Sequence, residues 1–274
     1  MKELRTEQLQ IDKLYPFKGH PFKVLDNEEM DQLVESILTQ GVLTPLVVRP
    51  LDSGEYEVIS GHRRLHACKK AGLETVPALV MDMDRDAAAI ALVDSNLHRE
   101  HILPSEKAFA YKLKMDAMRH QGASGQVGQK WTRDSIAEGT DDSSRQIHRY
   151  IRLTNLIPGI LQMVDDGKIA LTPAVEISYL TNREQRELLE TMECEDCTPS
   201  LSQAIQLKLL SQSGNLDIYT IFDILTQRKP NQQEKISFRT EDVRKFFPKS
   251  YTTAQMQDVI LRLLEGYQRQ RQRS

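Results

Sequence analysis

Tyr56-Glu57-Val58-Ile59-Ser60-Gly61-His62-Arg63-Arg64-Leu65-His66-Ala67 decides how the first third of this chain folds. Tyr56 to Ile59 is a short β run, Gly61 supplies a turn, and the residues after it open a helix. A strand, a glycine turn and two arginines at a helix start make an anion site. The first N–H groups of a helix lack intrahelical acceptors, glycine lets the backbone approach a ligand, and guanidinium forks match phosphate oxygens. Ser60, Gly61, His62, Arg63 and Arg64 are the candidate phosphate ligands. A bare GxRR by itself favours a solvated surface turn. The second cluster, Asp94-Ser95-Asn96-Leu97-His98-Arg99-Glu100, and a helix-turn-helix pattern beyond it favour the anion.

Outward from this stretch the first hundred residues alternate short β runs with helical patterns. Leu9 to Leu14 reads as extended, and Pro16 and Pro21 break the chain into a loop. Asn27 caps a helix from Glu28 to Gln40, where Met30, Leu33, Val34, Ile37 and Leu38 recur at helical spacing and Gly41 ends the run. Leu46 to Arg49 and Tyr56 to Ile59 are strands joined by Asp52-Ser53-Gly54. A helix from Arg63 to Ala71 stops at Gly72. Val76 to Val80 is a strand and Asp86 to Asp94 a helix.

From Pro104 onward the pattern is helical. Ser105 is expected to cap Glu106 to Gln121, with Phe109, Ala110, Leu113 and Met118 as its apolar stripe. Residues 122–128 read as a flexible connector. Thr132 then caps a short helix to Glu138, Gly139 to Asp142 turn the chain, and Ser143 caps a helix to about Leu153. Ile147 and Ile151 share its inner face. Thr132, Ser143, Ser144, Arg145, Gln146, His148, Arg149 and Arg152 are the candidate DNA contacts, residue types that reach phosphates and base edges in a major groove. A polar hairpin surface is the rival reading. Helices follow at Ile157 to Asp165, Thr172 to Tyr179, Asn182 to Met192 and Ser200 to Leu210. Gln227 to Glu234 reads as a linker, Ile236 to Arg239 as a strand, and Thr253 to Gln268 as a helix with Met256, Val259, Ile260, Leu263 and Leu264 on one face.

A length of 274 residues allows two or three domains, and 39% hydrophobic with 27% charged residues is ordinary for a globular protein. No apolar run approaches the ~20 residues of a membrane span, and the start has no signal-peptide character, so a cytoplasmic protein is expected. The net charge of −3 does not advertise nucleic-acid binding, which leaves the argument to local patches such as Arg145, Arg149 and Arg152 and the tail from Arg269 to Arg273. Cys68 reads as a small buried residue, and Cys194 and Cys197 form a CxxC without a second ligand pair. His62 and His66 lie four apart, as zinc ligands can, with no third ligand at a helpful spacing. Trp131 reads as a packing residue.

Three motifs in order, Gly41-Val42-Leu43-Thr44-Pro45-Leu46-Val47-Val48-Arg49, Gly61 to Ala67, and Asn96-Leu97-His98-Arg99 with Pro104-Ser105-Glu106 following, resemble the ParB/RepB/Spo-type partition family, as does the helix-turn-helix. The resemblance covers most of residues 5–210. It implies an α+β protein: a ParB/sulfiredoxin-like nucleotide-binding domain (1–100), an all-α helix-turn-helix domain (101–215) and a small, mostly helical docking or dimerisation segment (216–274). It also implies a homodimer on a centromere-like double-stranded DNA site, a clamp gated by CTP and Mg2+, a ParA-type partner ATPase, and an association with nucleoid or plasmid.

By the same resemblance Arg63, Arg64 and Arg99 hold the triphosphate, Asn96 sits near the magnesium, and Thr44 takes the place of a base-contacting glutamine. Many members have Glu where this chain has His62, and Glu where it has Ser95. Imidazole and hydroxyl are poorer magnesium ligands than carboxylate, so weak CTP hydrolysis at most is expected. Two alternatives stand beside this reading. One is a transcriptional regulator on a degenerate nucleotide fold. The other is a small-substrate kinase, or a sulfiredoxin-like enzyme, although sulfiredoxin needs a cysteine where this chain has Ile59-Ser60-Gly61-His62.

Overall fold

The computed structural model describes residues 6–99, 101–120, 135–226, 243–248 and 250–271, with backbone alone at Thr253, Ala254, Gly266, Tyr267 and Gln270. Trp131, Thr132, the 122–128 connector, the linker from Gln227 and the strand expected at Ile236 to Arg239 lie outside the described residues. The chain divides into two compact units, residues 1–227 and 228–274.

The first unit opens with a mixed five-stranded sheet. Its strands are β1 (Thr6–Gln10), β2 (Leu14–Pro16), β3 (Leu46–Pro50), β4 (Tyr56–Ser60) and β5 (Thr75–Val80), in the order β1-β5-β3-β4-β2. β1 runs antiparallel to β5 and β3 antiparallel to β4, while β5–β3 and β4–β2 are parallel. The extended run expected from Leu9 to Leu14 is interrupted by a 3-10 turn at Ile11–Lys13, which splits it into the sheet's two edges.

Successive residues of a strand face opposite sides. Val58 meets Met30, Ile37, Leu65 and Cys68 on the face covered by α1 (Glu28–Gln40) and α2 (His62–Lys70). Ile59 turns the other way, towards Phe17, Phe22, Ala88 and Leu92, where α3 (Arg85–Asp94) packs. Each fully buried aliphatic residue in these layers contributes roughly 1.5–3 kcal/mol. The caps of α1 are as expected. Asn27 Oδ1 accepts the Met30 N–H at 3.2 Å, and Gly41, at φ +74°, closes the C-terminus.

α4 (Pro104–His120) lies at the centre of the unit. One side packs on α3 through Ala110 and Ala117, and another meets Ile136 and Ile147 through Tyr111 and Met115. This corrects the expected stripe, since Phe109 is exposed. Ser105 is not the cap: it lies inside the helix, and its N–H and hydroxyl both donate to Asp165, at 2.9 and 2.6 Å. Pro104 takes the first helical position, where its missing N–H costs nothing, and Glu106 reaches back to accept the Leu103 N–H at 3.1 Å.

A helical turn at 135–138 leads to α5 (Ser144–Leu153), and α6 (Pro158–Asp165), α7 (Leu171–Ile177), α8 (Asn182–Cys194), α9 (Leu201–Gln212) and α10 (Ile218–Thr226) follow. Thr181 and Ser200 form capping boxes with Glu184 and Gln203, which fixes the starts of α8 and α9. The sequence pattern does not anticipate α10, because Ile218-Tyr219-Thr220-Ile221-Phe222 is rich in residues that favour strands. Burial of Ile221, Ile224 and Leu225 and the bond from Thr220 N–H to Asp217 Oδ1 make it a helix. The second unit contains α11 (Thr253–Arg271), in which Met256 is buried while Leu261, Leu263 and Leu264 are exposed.

Candidate nucleotide and nucleic-acid sites

β4 ends at Ser60 and α2 begins at His62, so one residue must reverse the chain between them. Gly61 does so at φ +104°, a conformation that strains any L side chain, and a Cβ there would stand 3.1 Å from Leu46 Cγ. The first turn of α2 carries no acidic residue, and Gly61 offers no side-chain cap. Its N-terminal N–H groups and partial positive charge therefore remain unneutralised by a local carboxylate.

Around this corner the arginines take different positions. Arg64 Nη1 donates to the carbonyls of Thr44 and Pro45, the latter at 2.9 Å, and so ties the 41–45 loop to α2. Arg63 reaches out to Glu29 of α1 at 2.9 Å in an exposed ion pair, which a stronger anion can displace at little cost. Arg99 stacks over Phe22, 5.5 Å from the ring centre. Burial pulls it below the ordinary guanidinium range, and the charge of Arg63 adds to this. An anion bound beside Arg99 would offset that repulsion.

His62 is a pin. Its Nε2 accepts the Phe17 N–H at 3.5 Å, its ring packs 3.8 Å from His20, and burial, followed by the charges of His20 and Arg99, holds its pKa at about 3. The imidazole is therefore neutral throughout the working pH range. His66, one turn on, bonds Asp26 at 3.0 Å instead, so the two histidines do not form a pair of metal ligands.

The second cluster closes the corner from α3. Asn96 is buried, and its Nδ2 donates to Leu92 O at 2.7 Å and to Ser95 Oγ at 3.1 Å. Asp94, a carboxylate near the missing acidic position, is held by buried Lys114 at 2.5 Å. Glu106 accepts backbone N–H groups from Lys23 and Leu103 with its two oxygens. Among the described residues no three His, Cys, Asp or Glu side chains could hold a metal ion. The donors present do not suit Mg2+, whereas the cationic corner suits a phosphate.

The second candidate site is the face of α5. Ser143 caps the helix by accepting the Gln146 N–H at 3.2 Å, and Ile147 is buried beneath it. The preceding turn is fixed by Asp142, whose Oδ2 accepts from Tyr111 at 2.6 Å and from Lys107 at 2.9 Å. Burial, reinforced by this carboxylate, raises the Tyr111 phenol far above its ordinary pKa and keeps it a donor. Arg145 and His148 point outward, with Ser144 half-buried beside them. Arg149 bonds Gln146 and Thr172. Arg152 turns away, donating to Ser178 O at 2.7 Å and stacking 3.9 Å over Tyr179. It seals the end of α7, as a cation at a helix C-terminus does. Asp142 and His20 were not singled out from the sequence, and Glu106 only as part of a motif; their partners Tyr111, His62 and Lys23 lie 31, 42 and 83 positions away.

Residues 1–97 match the family model described as the ParB N-terminal domain. A nucleoid occlusion protein of Listeria monocytogenes serotype 4a is 31% identical over 186 residues, 68% of this chain and 61% of that protein. A probable chromosome-partitioning protein ParB of Pseudomonas putida is 29% identical over 188 residues, 68% of this chain and 59% of that protein. The chain thus spans about three fifths of the length of these curated relatives. Among solved structures, C-terminally truncated ParB from Caulobacter crescentus complexed to the centromeric parS site covers 81% of this chain and all of its own length, at 21% identity and a TM-score of 0.44. No helix of the described residues is long and apolar enough to cross a membrane. The first 97 residues thus belong to the ParB N-terminal domain family, and the relatives that match beyond them are named as ParB and nucleoid occlusion proteins.

Proposed function

We propose that this chain is a sequence-specific DNA-binding protein of the partition type. As a homodimer it docks α5 of each subunit in the major groove of a short, centromere-like palindrome, and it holds CTP at the Gly61 corner. The observation that carries the DNA reading is the presentation of α5: Arg145 and His148 stand exposed on its first two turns, while the turn beneath them is bolted to α4 through Asp142. A recognition helix needs that combination of solvent-exposed polar residues on a rigid mount. At the other site, Arg63 and Arg99 together with the first N–H groups of α2 would hold the triphosphate, with Ser60 and Thr44 at its margins. Closure of two N-terminal domains around the duplex, segregation of a plasmid, mobile element or chromosome, and a ParA-type ATPase partner complete the reading.

Hydrolysis is not part of it. The carboxylates near the corner are engaged with Lys114, with Arg63 and with backbone N–H groups, and His62 is a neutral pin. The same engagements favour, as a second reading, a DNA-binding regulator whose N-terminal fold carries no nucleotide at all. Selection of duplexes from a random library followed by anisotropy titration tests the first claim. Arg145→Ala and Arg149→Ala together should weaken the selected site at least tenfold, and unchanged affinity would remove α5 from the interface. The domain scheme of 1–100, 101–215 and 216–274 belongs to this proposal.

A further inference from the structure

Among the described residues two buried side-chain nitrogens lack a hydrogen-bond partner, Arg119 Nε and His20 Nε2. Arg119 also reaches Asp116 through another nitrogen, 3.6 Å away. His20 is different, because its tautomer is fixed: Nδ1 lies 2.7 Å from the Phe22 carbonyl, an acceptor, and must carry the proton. Nε2 is left as a bare lone pair. Such an atom costs folding energy, and an unsatisfied buried group in a native fold calls for an explanation.

The surroundings supply one. His20 packs 3.8 Å from His62, the first residue of α2, and feels the charges of Arg99 and Glu106. It therefore lies at the cationic corner already assigned to a triphosphate. A lone pair and a phosphate oxygen are both acceptors and repel, so the two can meet only across a proton. We propose that His20 is a proton-linked phosphate ligand: as a triphosphate binds, Nε2 takes one proton from solvent and donates it in a hydrogen bond to a phosphate oxygen. This rests on the nucleotide reading above.

The groups facing His20 set the sign. Without ligand, burial is the largest influence and lowers its pKa below the ordinary 6.5, the Phe22 carbonyl raises it, Arg99 lowers it and Glu106 raises it. His62 is neutral and contributes no charge at neutral pH. A triphosphate adds several negative charges on the side where Arg99 now dominates, so the bound-state pKa moves upward. Proton uptake then occurs in the window between the lowered free value and the raised bound value, and affinity falls as pH rises through that window.

Isothermal titration of the full chain with CTP at pH 6.5 to 7.5, in buffers of different ionisation enthalpy, counts the protons directly. Wild type should take up more protons per CTP than His20→Gln, by a difference approaching one. Its affinity should also fall up to tenfold more over that interval. Titration of the nucleotide's own phosphates is common to both proteins and cancels. His20→Phe, which removes the unpartnered atom together with the Nδ1 bond to the Phe22 carbonyl, should bind CTP at least tenfold more weakly and with the proton count of His20→Gln. Equal proton counts with normal CTP binding would overturn the role of His20 alone. Absence of CTP binding to wild type would overturn the nucleotide reading and this proposal with it.

Discussion

Gly61 concentrates the residue-scale argument, since a side chain there meets both a positive φ and a Leu46 contact at 3.1 Å. Gly61→Ala should destabilise the first unit by about 1–3 kcal/mol, read as a lower urea midpoint, and a midpoint equal to wild type would show that the turn relaxes. His62 predicts a pH dependence. Its folded pKa of about 3 lies below the ordinary 6.5, so between these values the unfolded chain binds a proton that the folded chain refuses. Stability from this group is complete above pH 6.5 and declines on acidification, by about 2 kcal/mol at pH 5. Denaturation series in His62→Gln should show a flatter acid limb. The arginines separate by role: Arg145→Ala should weaken DNA binding and reduce the salt slope by about 1 while leaving the melting temperature unchanged, whereas Arg152→Ala should lower stability through Ser178 and Tyr179. The sequence could name these arginines but not sort them, because Arg145 and Arg152 are seven residues apart on one helix and nothing local tells which side meets α7.

Among elements, the turn before α5 has the strongest test. Asp142 gathers the Tyr111 hydroxyl and the Lys107 ammonium, and removing it leaves both without that partner in a partly buried site. Asp142→Ala should cost about 2–3 kcal/mol of stability and weaken DNA binding even though the residue lies outside the exposed face of α5. Elements with local signals were legible: α1 between Asn27 and Gly41, α5 after Ser143, and the starts of α8 and α9 at Thr181 and Ser200. Where the decisive partner is distant, the pattern misled. Ser105 looked like a cap because the Asp165 carboxylate that receives its N–H belongs to another helix, 60 residues on. α10 looked unhelical because burial of Ile221 and Ile224, rather than propensity, makes it a helix. The anion corner was legible as a motif in Gly61 to Arg64. Its second layer was not, because the loop that carries His20 and Lys23 meets Glu106 of α4 only in the folded chain.

For the whole molecule the account joins two sites in one chain: an anion corner between the sheet and α3, and a braced helix turned to solvent. With a net charge of −3, attraction to DNA must come from local contacts, so affinity for the selected duplex should drop steeply with salt, with a slope of about −0.9 per phosphate neutralised. The central claim is that both sites are used and are coupled. The most direct test is retention of labelled CTP, compared with ATP, GTP and UTP, by the full chain with and without duplexes that it has itself selected. The account predicts selective CTP binding that increases when the selected duplex is present. DNA capture with no nucleotide retained, or with all four retained alike, would contradict it.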